Sequence, residues 1–129
     1  MLKTHSNIFC LGQKPYSELP NYLINSDICF LFYRTIRKNN TGNSQKLFLY
    51  LAAGKPVVST LSADIESYGS LVKIANTAGE FVESAEILMA SDSQGDALRR
   101  RELALENSWP RRVDEIRQIL NNMDGRYDG

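Results

Sequence analysis

The sequence predicts a three-layer α/β domain with about four mainly parallel strands and with helices on both faces of the sheet. Short apolar runs typical of buried strands alternate with segments that carry helical start and stop signals along the 129 residues. The hydrophobic fraction of 43% and the charged fraction of 23% are those of an ordinary globular domain. Because no linker or low-complexity segment interrupts the chain, we expect residues 1–129 to form a single domain.

The first third of the chain predicts two strands separated by a short helix. Residues 7–11 (NIFCL) are an apolar run that ends at Gly12, and residues 28–33 (ICFLFY) are a second one. Residues 16–25 predict a turn and a short helix, with Pro20 near its first turn, where proline is tolerated. We expect the two strands to pair in parallel, because a connection that contains a helix is long enough for a crossover. A homodimer that covers the exposed edge or apolar face is the alternative.

Residues 44–60 (SQKLFLYLAAGKPVVST) predict a helix, a glycine stop and a buried strand. Ser44 is a polar start, and Gly54 stands where the chain must turn after the helix. Pro56 cannot continue a helix, and residues 57–60 form a β-branched run suited to a strand covered on both faces.

The second half of the chain predicts one more strand and three helices. Thr77 and Glu80 have the spacing of a capping box, which predicts a helix start. The predicted elements are a helical turn at residues 63–68, a strand at 71–75, a helix that ends at a break over 91–95, a helix at 96–107, a last helix capped by Ser108, and a frayed tail at 122–129.

The loop before the helix at residues 44–53 is basic, and between Asp27 and Asp64 the chain has no acidic residue. A helix N-terminus offers free N–H groups and a positive dipole end to an anion. The first hypothesis is therefore a ligand that bears phosphate, and the alternative is a solvated basic loop beside a tight turn. The cationic residues of this stretch are Arg34, Arg37, Lys38, Lys46 and Lys55.

Charge and composition argue against several other classes of protein. A formal net charge of zero gives no global basic field for binding nucleic acid. No apolar run approaches the length of a membrane span, and residues 1–10 do not resemble a signal peptide. His5 has no cluster of cysteines or carboxylates around it, so we expect neither a metal ion nor another cofactor.

Two cysteines, Cys10 and Cys29, each lie within an apolar run. We expect both to be small core residues in a reducing compartment. This usage predicts a cytoplasmic protein, with attachment to the inner membrane face as an alternative.

The order of the motifs resembles one protein family over nearly the whole chain. The motifs are NIFCLG at residues 7–12, PYSELP at 15–20, SDI at 26–28, KLFLYLAAGKPVV at 46–58, and ENSW at 106–109 before an arginine-rich helix. This series is similar to the C-terminal half of bacterial polysaccharide glycosyltransferases of the group-1 type, which have two Rossmann-like domains (the GT-B fold).

The resemblance implies a partial Rossmann-like domain that binds a nucleoside diphosphate sugar in a retaining, metal-independent transferase of cell-surface polysaccharide synthesis. In such enzymes the N-terminal domain binds the acceptor and supplies much of the catalytic machinery. We therefore expect no catalytic residue in this chain, and we expect the absent N-terminal domain to be its partner.

The resemblance also implies the residues of the donor site. In the family the diphosphate lies over the N-terminus of the equivalent helix, which assigns Ser44, Gln45 and Lys46 to the phosphates. Gly12 would let the ligand approach the backbone closely, and Tyr33 would line the nucleoside pocket. The alternatives are that Gly12 is only a turn glycine and that Tyr33 is only the last core residue of its strand.

Two features depart from the family's pattern. Leu49 stands where the family has a glutamate that accepts hydrogen bonds from the ribose hydroxyl groups. Losing such a contact costs roughly 1.5–3 kcal/mol, about ten- to a hundred-fold in affinity. The four predicted strands correspond to strands three to six of the family's domain, so we expect its first two βα units to be absent.

The last two predicted helices are rich in arginine. Acidic residues are interleaved with the arginines at the spacings of helical ion pairs, so we expect a solvated, salt-bridged face. Binding of lipid headgroups is the alternative for this cluster. For the chain as a whole, the alternative to a donor-binding domain is a non-catalytic interaction module that kept the fold and lost the donor site. The arginines are Arg99, Arg100, Arg101, Arg111, Arg112 and Arg117.

Overall fold

The structure, a computed structural model, describes residues 5–32, 45–60 and 65–124 as an α/β fold with parallel strands. A short 3₁₀ turn at Tyr16–Glu18 precedes the first α-helix, and a second 3₁₀ segment, Glu66–Leu71, precedes the last strand. The described elements are α1 (Leu19–Ile24), β1 (Cys29–Leu31), α2 (Gln45–Ala52), β2 (Val57–Ser59), β3 (Val72–Ile74), α3 (Ala78–Ser91), α4 (Gln94–Glu106) and α5 (Trp109–Asp124).

The three described strands form one parallel sheet in the order β1-β2-β3. The register places Cys29 beside Val57, and Val57 beside Val72. Because side chains alternate along a strand, these residues point to one side, which we call the inner face. Phe30 and Val58 point to the opposite side, the outer face.

The inner face carries the hydrophobic core. Leu51 and Val57 are completely buried, since α2 lies directly against the strands. The connection between β2 and β3 adds Ile65, and α4 adds Ala104. The core cluster on this face comprises Leu23, Cys29, Leu31, Leu47, Leu51, Val57, Ile65, Val72 and Ala104.

Helix α3 packs on the outer face, so helices cover both sides of the sheet as predicted. Val58 is completely buried beneath it. Near β1, α3 covers the outer face less completely. The ring centroid of Phe81 on α3 lies 6.0 Å from that of Phe30 and 4.8 Å from that of Phe32. Phe30 is nevertheless 39% exposed and Phe32 71% exposed.

Local signals in the sequence correctly predicted several element boundaries. Gly54 ends α2 with φ of +72°, a conformation that glycine adopts without strain. Thr77 and Glu80 form the predicted capping box of α3. A second box, made by Ser93 and Asp96, starts α4 at Gln94, two residues before the start that the sequence predicted.

The strand predicted at residues 7–11 is wrong. The segment pairs with no strand of the described sheet, and residues 5–13 are all exposed. An apolar run becomes a strand only when a neighbour supplies hydrogen bonds and a packed layer covers its side chains, and the described fold provides neither there. Cys10 is consequently exposed instead of lying in the core, whereas Cys29 is buried as expected, and both thiols are free.

The other strand and helix predictions hold within one to three residues at each end. Residues 28–33 and 71–75 contain shorter strands, β1 and β3, and residues 16–25 contain the 3₁₀ turn and α1. Helix α5 continues to Asp124, which includes the first residues of the predicted tail at 122–129. The basic loop at residues 34–43 lies outside the described residues.

Candidate functional site

A groove of about 880 Å³ runs between α2, α4 and the start of α5, and we call it the α2 groove. Gln45, Leu49 and Ala52 line it from α2, at spacings that place them on one side of a helix. Helix α4 packs along α2 and forms the opposite wall. The remaining lining residues are Tyr16, Leu19, Lys46, Phe48, Arg101, Ala104, Leu105, Asn107, Ser108, Trp109 and Pro110.

Three of the predicted site residues meet in this groove. Gln45 and Lys46 form the first turn of α2, and both are exposed. Within the part of the chain that the structure describes, the Lys46 ammonium group has no ion-pair partner. Ser44, the residue before this turn, lies outside the described residues. The first turn of α2, at the positive end of the helix dipole, and the Lys46 side chain therefore lie at the same end of the groove.

Leu49 lines the groove one turn further along α2 and packs against the hydrophobic core. The described residues that line the groove include neither aspartate nor glutamate. Hydroxyl groups of a ligand would meet an apolar floor at this point, and no carboxylate accepts their hydrogen bonds.

Gly12 does not line the groove. Its φ is +72°, and a Cβ atom added there would meet no atom within 4 Å. The positive φ is one that glycine adopts without strain, and the contact of Gly12 with a ligand stays a prediction. Tyr33, the predicted nucleoside contact, lies outside the described residues.

Two cations of the predicted anion site and arginine cluster have other roles. The Lys55 ammonium group donates a hydrogen bond to the carbonyl oxygen of Ile24 at 2.9 Å, so it ties the turn after α2 to the end of α1. Arg100 was predicted to lie on a solvated face, but it is only 2% exposed. Its Nη1 donates to the carbonyl oxygen of Gly54 at 2.8 Å, and its guanidinium group pairs with the Asp92 carboxylate.

Arg101 was assigned to the same solvated face, yet it lines the α2 groove. A Cβ atom on Gly54 would lie 2.9 Å from its Nε, so the guanidinium group rests against the glycine backbone. Its spacing from Ala104 and Leu105 places the three residues on one side of α4, but only the packing of α4 on α2 turns that side toward the groove. An ion pair of the predicted kind does form on α5, where Arg117 lies 3.5 Å from Asp114.

Aromatic side chains complete the groove. Tyr16 and Trp109 both line it and are both 77% exposed. Beside them, Arg112 donates a hydrogen bond to Asn107 Oδ1 at 3.0 Å and so fastens the start of α5 to the end of α4. Two cations, two open aromatic rings and an apolar floor suit an anionic ligand with a planar ring.

Perturbed pKa values lie elsewhere in the described residues. Burial raises the pKa of the Cys29 thiol, with a smaller opposing effect from the Lys55 charge. The Ser93 hydroxyl lowers the pKa of the Asp96 carboxyl by donating a hydrogen bond to it. Neither group lines the groove.

No described helix is both long and apolar enough to cross a membrane. The same residues contain no group of three or more histidines, cysteines or carboxylates that could hold a metal ion. Comparisons with protein-family models, with curated proteins and with solved structures found no match.

Proposed function

We propose that this chain is the nucleotide-sugar-binding part of a GT-B glycosyltransferase that acts in the synthesis of a cell-surface polysaccharide. The proposal rests on the collinear motifs in the sequence and on one structural observation. Gln45, Lys46 and Leu49, assigned to the donor site from the resemblance, lie on a single groove together with Arg101 and open aromatic rings.

In this proposal the diphosphate lies at the first turn of α2. The positive end of the α2 dipole and the Lys46 ammonium group attract its oxygens, and Arg101 adds positive charge at the other end of the groove. Tyr16 or Trp109 offers a ring face to the nucleoside base. The chain thereby holds and orients the donor, and the groups that activate the acceptor come from an N-terminal domain of the kind that the resemblance implies.

Leu49 makes the proposed donor site weaker than that of the family's other members. An apolar side chain leaves the ribose hydroxyl groups without a charged acceptor, which costs about 1.5–3 kcal/mol of binding free energy. We therefore expect nucleotide affinity to come mainly from the phosphates and the base, and to fall steeply as salt concentration rises.

The second candidate function is a non-catalytic interaction module, and the apolar character of the groove favours it. Leu49, Ala52 and Leu105 give the groove a floor that could receive a hydrophobic side chain of a protein partner. The two candidates differ in whether the groove binds a nucleotide at all.

Titration calorimetry of the chain with UDP, GDP and their sugars separates the two candidates. We expect binding that Lys46→Glu abolishes and that Arg99→Glu, a matched change on the exposed side of α4, leaves unchanged. Absence of binding for every nucleotide at low salt would reject the donor site and leave the interaction module.

A further inference from the structure

Strand β1 forms an edge of the described sheet, and one side of its backbone is already used. The Cys29 N–H donates to the Pro56 carbonyl oxygen at 2.9 Å, and the Leu31 carbonyl oxygen accepts from the Thr60 N–H at 3.1 Å. Backbone groups alternate in direction along a strand, so the N–H and the carbonyl group of Phe30 point away from β2. Within the described residues nothing pairs with them.

Apart from the shortness of β1, which has three residues, the described edge lacks the features that normally prevent edge strands from associating. Natural edge strands carry lysine, proline or bulges for this purpose. Residues 28–32 (ICFLF) contain no charge, no proline and no glycine. Phe30 and Phe32 also form an exposed aromatic surface on the outer face beside this edge.

We propose that two copies of the chain pair through β1 in antiparallel orientation, centred on Phe30. The two three-stranded sheets then join into a single six-stranded sheet. Phe30 then faces Phe30 of the second copy, and the two residues exchange both of their free backbone hydrogen bonds. Phe32 faces Ile28 of the second copy on the same outer face. The edge is complementary to itself in this register, because every residue pair it creates is apolar.

A second copy fits this edge better than the chain's own N-terminal segment does. Residues 7–11 are apolar and exposed, but they remain unpaired although the edge of β1 is open. A two-fold pairing needs only β1 itself and uses each contact twice. The interface is small, so the dimer should form in a concentration-dependent manner. The dimer does not use the α2 groove, and its tests do not depend on nucleotide binding.

The first test measures the mass of the full chain by light scattering over a wide range of concentration. We expect the mass to double as concentration rises, and Phe32→Lys to abolish the increase. The matched control is Phe9→Lys, which places the same charge on an equally exposed phenylalanine of the N-terminal segment. Ile116→Lys is a second control, because α5 carries an exposed apolar stripe that is a competing interface.

The second test determines the register by cross-linking in a Cys10→Ser background. Directly opposed residues of a hydrogen-bonded antiparallel pair have Cα atoms about 5.5 Å apart, within the reach of a disulfide. Phe30→Cys should therefore form a disulfide-linked dimer under oxidation. In the Phe32→Cys variant the two cysteines would be about 14 Å apart, so no cross-link should form.

Several results would overturn the proposal. A chain that stays monomeric at every concentration has no such dimer. A dimer that Phe9→Lys or Ile116→Lys dissociates while Phe32→Lys does not uses the N-terminal segment or α5 instead. Cross-linking at position 32 with none at position 30 excludes the register centred on Phe30, provided that circular dichroism shows both variants to be folded.

Discussion

At the scale of single residues, cationic side chains that the sequence does not distinguish take different positions relative to the α2 groove. Lys46 belongs to the first turn of α2, and Arg101 rests against Gly54 beyond the helix's other end. Eight residues of helical rise separate the two positions by about 12 Å, so the two cations lie at different ends of the groove. Arg99 is exposed and does not line the groove, so it provides a control for general electrostatic attraction.

If a nucleoside diphosphate binds, Lys46→Ala should weaken its binding about tenfold, the effect of one lost charge-assisted hydrogen bond. Arg101→Ala should cause a smaller but measurable loss, because its guanidinium group lies at the far end of the groove. Arg99→Ala should change nothing in calorimetric titrations under the same conditions. Equal losses from Lys46→Ala and Arg99→Ala would mean that the diphosphate binds elsewhere.

Leu49→Glu tests the absence of a carboxylate from the groove. The new carboxylate would accept hydrogen bonds from ribose, and we expect nucleoside diphosphate affinity to rise about tenfold or more. Since Leu49 also packs against the core, urea denaturation should show a lower free energy of unfolding. Leu49→Gln, which lacks the charge, should cause a similar loss of stability with a smaller gain in affinity. A loss of stability without any gain in affinity would mean that position 49 does not face the ribose.

At the scale of elements, local polar contacts determine where the C-terminal helices begin and how they are held. Each of α3 and α4 starts with a reciprocal capping box. The buried Arg100 pairs with Asp92, between these two helices, and reaches the carbonyl oxygen of Gly54 beyond α2. Short-range spacing in the sequence predicts the capping boxes. It does not predict the contact between Arg100 and Gly54, because these residues lie far apart in the chain.

The capping contact of α4 gives a prediction about pH. The Ser93 hydroxyl holds the pKa of the Asp96 carboxyl below its ordinary value, so this contact stabilises the fold above the unfolded-state pKa. The stabilisation is lost as pH falls through the lowered folded-state pKa. Ser93→Ala should raise the pKa of Asp96 in an NMR titration and weaken this acid dependence. Thr77→Ala should cost about 1 kcal/mol at α3 and leave the Asp96 pKa unchanged.

The Arg100 contact gives a prediction about stability. Asp92→Ala leaves a guanidinium group that is only 2% exposed without its counter-charge, so it should lower the free energy of unfolding by about 3 kcal/mol. Arg117→Ala, which breaks the exposed pair with Asp114, should cost less than about 1 kcal/mol. Urea denaturation of the two variants measures the difference. Similar losses would contradict the structural role assigned to Arg100.

At the scale of the whole molecule, the sequence predicts the α/β class and most of the element order, but it does not predict how many strands pair. The apolar periods and turn residues of residues 45–60 are local signals, and the elements there formed as predicted. The run at residues 7–11 carries the same local signal, but strand formation depends on a neighbour elsewhere in the fold. The position of Arg101 in the groove likewise depends on how α4 lies against α2, which spacing within one helix does not determine.

The isolated chain should transfer no sugar, even with a donor and an acceptor supplied. The described residues that line the groove include no carboxylate and no histidine to act as a general base. In the glycosyltransferases that the sequence resembles, the reaction takes place between two domains. Radiolabelled nucleotide sugars provide the most sensitive assay, and a Lys46→Glu variant provides its background. Turnover above that background by the 129 residues would contradict the assignment of catalysis to another domain.

The backbone conformation of Gly54 explains why the Ala-Ala-Gly-Lys-Pro segment is weak evidence of function. Its left-handed backbone, with φ of +72°, is strained for any residue that has a Cβ atom. Folding alone therefore favours glycine at this position, whether or not the groove binds a ligand. The glycine of the Ala-Ala-Gly-Lys-Pro turn thus reflects architecture, and a function has to be argued from the residues that face the groove.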